Sequence, residues 1–310
     1  MMKYIYKILE TIILLSQLML ISGCSKTTSG SSGKIRIITT TGMIQDAAAF
    51  ISMDFAETEA LIGPGVDPHL YKASQGDLEK LTSAQVVFYN GLHLEGKMSE
   101  VLEKLARLKP VIPVSRDIPD SLLREAPGFG GTHDPHIWFD VQLWKHAAST
   151  VSKSLTDLYP DHAVSIQFRT KTYLLQLDSL DQLVRSDLAE IPEKQRILIT
   201  AHDAFGYFGD AYGIEVHGLQ GISTLSEFGL RDVTNLVSFI TEHQIKAIFT
   251  ETSVSTKSIE AVVDGCGQRG WSVKIGGALY SDAMGAKGTP EGTYFGMVRA
   301  NSKLIATSLK

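Results

Sequence analysis

The chain has 310 residues, with 29 Lys and Arg against 34 Asp and Glu, a formal net charge of -5 and 44% hydrophobic residues. That apolar content is enough for one large domain or two moderate ones, and mixed charge without a long basic run excludes nucleic acid as a partner. The two cysteines, Cys24 and Cys266, form no Cys-x-x-Cys pair, which excludes a thiolate metal site and a disulfide framework.

At the start of the chain, Lys3 and Lys7 precede a mostly apolar stretch from Ile8 to Ile21 that stops at Ile21-Ser22-Gly23-Cys24. A positive start, a short apolar run and small residues are the layout of a secretory signal over 1–23. The run is shorter than the ~20 residues that a membrane span needs. A cysteine directly after the small residues resembles a bacterial lipobox, in which cleavage leaves Cys24 as a lipidated N-terminus. Residues 24–33 then read as the lipidated cysteine and a Ser/Gly-rich tether whose root-mean-square reach of roughly 17 Å keeps the folded part near the bilayer. The expected location is the outer face of a cell membrane, held by a lipid anchor, in a periplasm or at the cell surface. Cys266, in Asp264-Gly265-Cys266-Gly267, reads as a partly buried structural thiol.

From residue 34 onward, β-rich runs at 35–39, 58–62, 86–89 and 111–114 alternate with helical stretches that include 74–84 and 97–108. A second set, 196–200, 214–217, 247–250 and 272–275, alternates with stretches such as 230–243 and 256–268. Such alternation implies mainly parallel sheets covered on both faces, so the predicted fold class is α/β with two parallel-sheet lobes, 34–160 and 191–310. Between them, 161–190 lacks glycine and proline, and Ile166, Tyr173, Leu177, Leu180, Val184 and Leu188 fall near one helical stripe. A single backbone helix of that length reaches about 45 Å and leaves the lobes little freedom to move.

Two motifs recur across this body, Asp67-Pro68-His69 and Asp134-Pro135-His136, and a third histidine, His202, follows an apolar run, as does Asp282. Neutral imidazoles and a carboxylate suit a divalent first-row ion such as zinc, manganese or iron. His202 is expected right after the first strand of the second lobe, Asp282 a few residues past the fourth, and His69 in the loop after the second strand of the first lobe. His136 is expected in the loop before a helix over 139–158. Ligands in open α/β sheets collect beyond the carboxyl ends of strands, so the metal site is predicted in the cleft between lobes. His133 competes with His136, because the two flank Asp134-Pro135, and His136 is favoured because it repeats the Asp-Pro-His pattern of His69. His93 and His217, the latter at a strand end, keep a smaller claim on the cleft, whereas His146, His162 and His243 read as surface or capping residues. Glu251, after the third strand of the second lobe, reads as a partner that orients a ligating histidine.

The segments Gly63-Pro64-Gly65-Val66-Asp67-Pro68-His69, Asp134-Pro135-His136-Ile137-Trp138-Phe139-Asp140, Thr200-Ala201-His202-Asp203-Ala204-Phe205-Gly206-Tyr207-Phe208 and Ser281-Asp282-Ala283-Met284-Gly285 resemble the TroA-like zinc- and manganese-binding lipoproteins of ABC importers, the cluster A-I solute-binding proteins. The resemblance covers the chain from the lipobox to the C-terminus. It implies two α/β lobes on one linking helix, and His69, His136, His202 and Asp282 as ligands of one transported Zn2+, Mn2+ or Fe2+ ion. It also implies delivery by a monomer to a membrane permease driven by a cytoplasmic ATPase. Relatives dedicated to zinc carry a histidine-rich loop that residues 117–132 lack, and many manganese relatives have glutamate where this chain has His202, so the set is intermediate.

Two other classes bear on the same residues. A metal-dependent hydrolase needs an open coordination position and a general base, and neither His-Glu-x-x-His nor Gly-x-Ser-x-Gly nor a Walker loop occurs. The glycine-rich run 276–296 reads as turns around Asp282. A surface adhesin lipoprotein is the other alternative, with no residue pattern pointing to a host ligand.

Overall fold

Four short runs in the first half pair into one parallel sheet. β1 (Ile35–Thr39), β2 (Ala56–Ala60), β3 (Val86–Tyr89) and β4 (Val111–Pro113) lie in the order β2-β1-β3-β4. Ile37 stands opposite Thr58 on one side and Val86 on the other. Three helices connect them, α1 (Gly42–Ser52), α2 (Gln75–Ser83) and α3 (Ser99–Ala106). The computed structural model describes residues 33–126, 132–226 and 228–310. The expected signal, Cys24 and nearly all of the tether lie outside the described residues, and Ile35–Lys310 forms one compact unit.

β2 begins two residues before the predicted 58–62. Pairing is already set when the Ile35 N–H donates to the Phe55 carbonyl (2.9 Å), and the apolar Leu61 and Ile62 are buried just beyond the strand end. Helix α2 starts where its sequence says it should, because Ser74 and Asp77 form a reciprocal capping box: the Ser74 Oγ accepts from the Asp77 N–H and the Asp77 carboxylate accepts from the Ser74 N–H.

In the second half, β5 (Ile197–His202) pairs with β6 (Glu215–Gln220) and β7 (Ala247–Glu251) with β8 (Lys274–Leu279), all parallel, with β5 packed beside β7. Here the strands outrun their predicted ends. His202 is the last residue of β5 rather than the first after it, and His217 lies inside β6 rather than at its end. β8 runs through Gly276 and Gly277, which were expected as turns. Glycine there answers close approach: a Cβ at Gly276 would lie 2.8 Å from the Phe249 ring, and Gly277, at φ +143, would push into Leu304 at 2.9 Å. Cys266 is fully buried against the second core rather than partly so.

Between the halves run α4 (Val141–Leu158) and α5 (Ala163–Ala189). Asp140 caps α4, its Oδ1 accepting from the N–H groups of Gln142 (2.8 Å) and Leu143 (3.2 Å). The predicted helix over 161–190 begins two residues late, because Pro160–His162 forms a 3₁₀ turn first. All six residues of its expected stripe are buried. The second half adds α6 (Gly206–Tyr212), α7 (Leu230–Glu242), α8 (Lys257–Gln268) and α9 (Tyr294–Ser308). The last of these packs along α5 and touches α1, so one core of Trp144, Tyr173 and Tyr294 spans both halves. Trp144 stacks on Tyr294 at 5.2 Å. No helix among the described residues is long and apolar enough to cross a membrane.

Candidate metal centre

Each candidate ligand sits at a carboxyl-side strand end or the loop beyond one. His69 lies between β2 and α2, His136 just before α4, His202 at the end of β5, and Asp282 three positions past β8. The four come together, one nitrogen or oxygen from each lying within 4.8 Å of the others, and all four residues are buried. His69 Nε2 is 3.3 Å from His136 Nε2. Asp282 reaches all three rings, with Oδ2 3.3 Å from His202 Nε2 and 4.0 Å from His69 Nε2, and Oδ1 3.6 Å from His136 Nε2.

Two of the imidazoles are braced from behind. His202 Nδ1 donates to Glu251 Oε2 (2.5 Å) while its backbone N–H donates to Oε1 (2.8 Å), so Glu251 fixes both the ring and its tautomer. His136 is held the same way by Asp134, whose Oδ1 accepts from the His136 N–H (2.9 Å) and from Nδ1 (2.8 Å). In both rings Nε2 is left facing the cluster and Asp282. His69 differs. Its N–H donates to Asp67 Oδ1 (2.8 Å), the other Asp67 oxygen accepts from the Thr224 hydroxyl (2.6 Å), and Nδ1 has no partner.

The role of Asp134 was missed in the sequence, although the repeat carried the signal. Proline has no N–H, so an Asp-Pro-His triplet invites the aspartate to bond the amide two residues on, which is an Asx turn. Asp134 is itself held by Arg124, Nε to Oδ2 at 3.6 Å, and Arg124 also pairs with Asp210. The glycine of Ala204-Phe205-Gly206-Tyr207 makes room for this, since a Cβ there would lie 2.6 Å from Arg124 Nε. Trp138 Nε1 donates to the Ser281 carbonyl (2.9 Å), which sets the position of the neighbouring Asp282 against the His136 segment.

The other histidines stand apart. His133 is turned outward, bonded to Asp120 (2.8 Å) and to the Arg124 carbonyl (3.2 Å). His217 pairs with Glu215 (2.7 Å), His243 bonds the Phe239 carbonyl at the end of α7 (2.9 Å), and His162 stacks on Phe55. His93, at φ +63, and His146 are not part of the cluster either.

Electrostatics divide the cluster. Burial pushes His69 down to about 3, so it stays neutral. Burial acts the same way on His202, but the carboxylates of Glu251 and Asp282 overcome it and raise its pKa well above the usual imidazole value. Burial would raise Asp282, yet the imidazoles of His202, His136 and His69 hold it well below the usual carboxylate range.

A cation fits the polar atoms left over. His202 Nε2 and both Asp282 oxygens are buried without a hydrogen-bond partner, a costly arrangement unless a positive charge satisfies them. Three imidazole nitrogens and a carboxylate form a donor set for one divalent transition ion.

Comparison with known proteins points the same way. The chain is 51% identical over 292 residues to the manganese-binding lipoprotein MntA of Bacillus subtilis, covering 94% of this chain and 95% of that one. It is 47% identical over 283 residues to the zinc-binding protein TroA of Treponema pallidum, covering 91% of each. The solved structure of that periplasmic protein superposes with a TM-score of 0.87 over 89% of this chain and 99% of the other. The iron ABC transporter substrate-binding lipoprotein MtsA of Streptococcus pyogenes is 27% identical over 298 residues, covering 94% of each chain. Residues 37–308 match the family model of ZnuA, the periplasmic component A of the zinc-uptake complex, and the chain belongs to that family.

Proposed function

We propose that the protein captures one divalent transition metal ion outside the cytoplasm through His69, His136, His202 and Asp282 and hands it to the membrane permease of an ABC importer powered by a cytoplasmic ATPase. The observation that carries this reading is the buried cluster of ligand atoms within 4.8 Å, with His202 Nε2 and the Asp282 oxygens unpartnered. Family membership and the relatives named for metal binding and metal ABC transport support delivery as well as capture. The metal is cargo. The protein acts without turnover, as a monomer with the lobes 34–160 and 191–310 on either side of the helix over 161–190, and is held at the membrane by lipid on Cys24.

The ion is zinc or manganese, with iron a further substrate. Three imidazoles and a carboxylate favour zinc over manganese in the Irving–Williams order, and Asp282 can chelate through both oxygens to give the higher coordination that manganese accepts. Equimolar zinc and manganese offered to metal-free protein, followed by elemental analysis, tests this. One ion per chain, mostly zinc, is expected. Binding of neither ion, or hydrolysis of ester or peptide substrates by the loaded protein, would overturn the reading.

A further inference from the structure

Helix α5 is apolar on two faces. One is buried as already described. The other carries Val164, Phe168 and Leu175, which are 83%, 70% and 58% exposed. Spacing of four and then seven residues puts them on one outward stripe, with Lys171 among them. A helix at the surface of a globular body ordinarily turns a polar face to water, so this stripe calls for a cover.

Its position in the fold says which cover. The Ile35 N–H that opens β1 donates to the Phe55 carbonyl (2.9 Å), the Phe55 ring stacks on His162 at 4.2 Å, and His162 immediately precedes α5. The stripe therefore starts beside the point where the chain from Cys24 enters the body. A Ser/Gly-rich segment the length of 25–33 reaches roughly 17 Å, which keeps an anchoring bilayer within range of that point. Ile35 is also the amino end of β1, whereas the metal ligands gather at the carboxyl ends of the strands.

We propose that the Val164, Phe168 and Leu175 stripe of α5 rests on the lipid surface, the Lys171 stem lying along it with its ammonium among anionic headgroups. The inference rests on the reading of Cys24 as the lipid anchor, but its test does not need the lipid.

The test is co-sedimentation of the unlipidated chain from Ser25 with vesicles of phosphatidylethanolamine and phosphatidylglycerol, with zinc titrated into the same samples. The parent should partition onto vesicles, and Phe168→Asp with Leu175→Asp should reduce partitioning by about tenfold or more while leaving zinc binding unchanged. Leu108→Asp, at a leucine 82% exposed elsewhere, should leave partitioning as it was. Three outcomes would overturn the inference: no partitioning by the parent, an equal loss in Leu108→Asp, or a dimer in sedimentation velocity that the stripe substitutions abolish. A chain that misses vesicles but takes up zinc sinks this inference alone. One that binds vesicles but no zinc sinks only the metal reading.

Discussion

At the scale of single residues, the proposed centre depends on groups that hold the candidate ligands as much as on the candidate ligands themselves. Glu251 binds both the ring and the amide of His202, so Glu251→Ala should free the imidazole and weaken zinc binding by about 10- to 100-fold, the usual cost of losing such a partner. Competition with a chromogenic chelator measures this, and an unchanged constant would refute the role. Protonation gives a second prediction. His202 is raised above its ordinary pKa by burial being outweighed by Glu251 and Asp282, so the metal-free site keeps a proton there that a metal must expel. His69, at about 3, takes no part between pH ~7.5 and ~5. Affinity should therefore fall as pH drops through that range, with proton release seen when calorimetry is repeated in buffers of different ionisation enthalpy. A constant that stays flat would contradict it. The sequence made the convergence of His69, His136, His202 and Asp282 legible through motif and strand-end position. The Asp-Pro-His repeat also favours His136 over its neighbour His133, which Asp120 and the Arg124 carbonyl hold outward; those two contacts join separate segments, and the local pattern does not encode them.

Among the elements, strand cores were legible and strand ends were not. β1 and β3 match their predicted bounds because Ile35–Thr39 and Val86–Tyr89 are continuous β-rich runs flanked by breaks. β8 was misplaced because its glycines look like turns, whereas they are cut back to admit Phe249, Leu304 and Ser308. Gly277→Ala should accordingly be destabilising by about 1–3 kcal/mol, from overpacking against Leu304 and from the left-handed backbone. The shift would appear in the urea midpoint with metal absent. A midpoint matching the parent would mean that β8 and α9 have slack that the 2.9 Å approach denies. The long helix was legible for the opposite reason: no glycine or proline interrupts it, and its buried stripe repeats at helical spacing.

For the whole molecule, the proposed metal would tie together segments far apart in sequence, because only the folded state brings His69, His136, His202 and Asp282 within reach of one ion. Zinc should raise the melting temperature of the parent in proportion to the logarithm of its concentration above saturation, and His202→Ala should lose most of that rise. The core of Trp144, Tyr173 and Tyr294 joins the same halves without metal, so the metal-free protein should still unfold cooperatively. The most direct measurement is a crystal structure of zinc-loaded protein with anomalous scattering at the zinc edge. A single peak about 2.0–2.2 Å from Nε2 of His69, His136 and His202 and from an oxygen of Asp282 is the predicted result, and a peak beside His133, or none among these four, would contradict it.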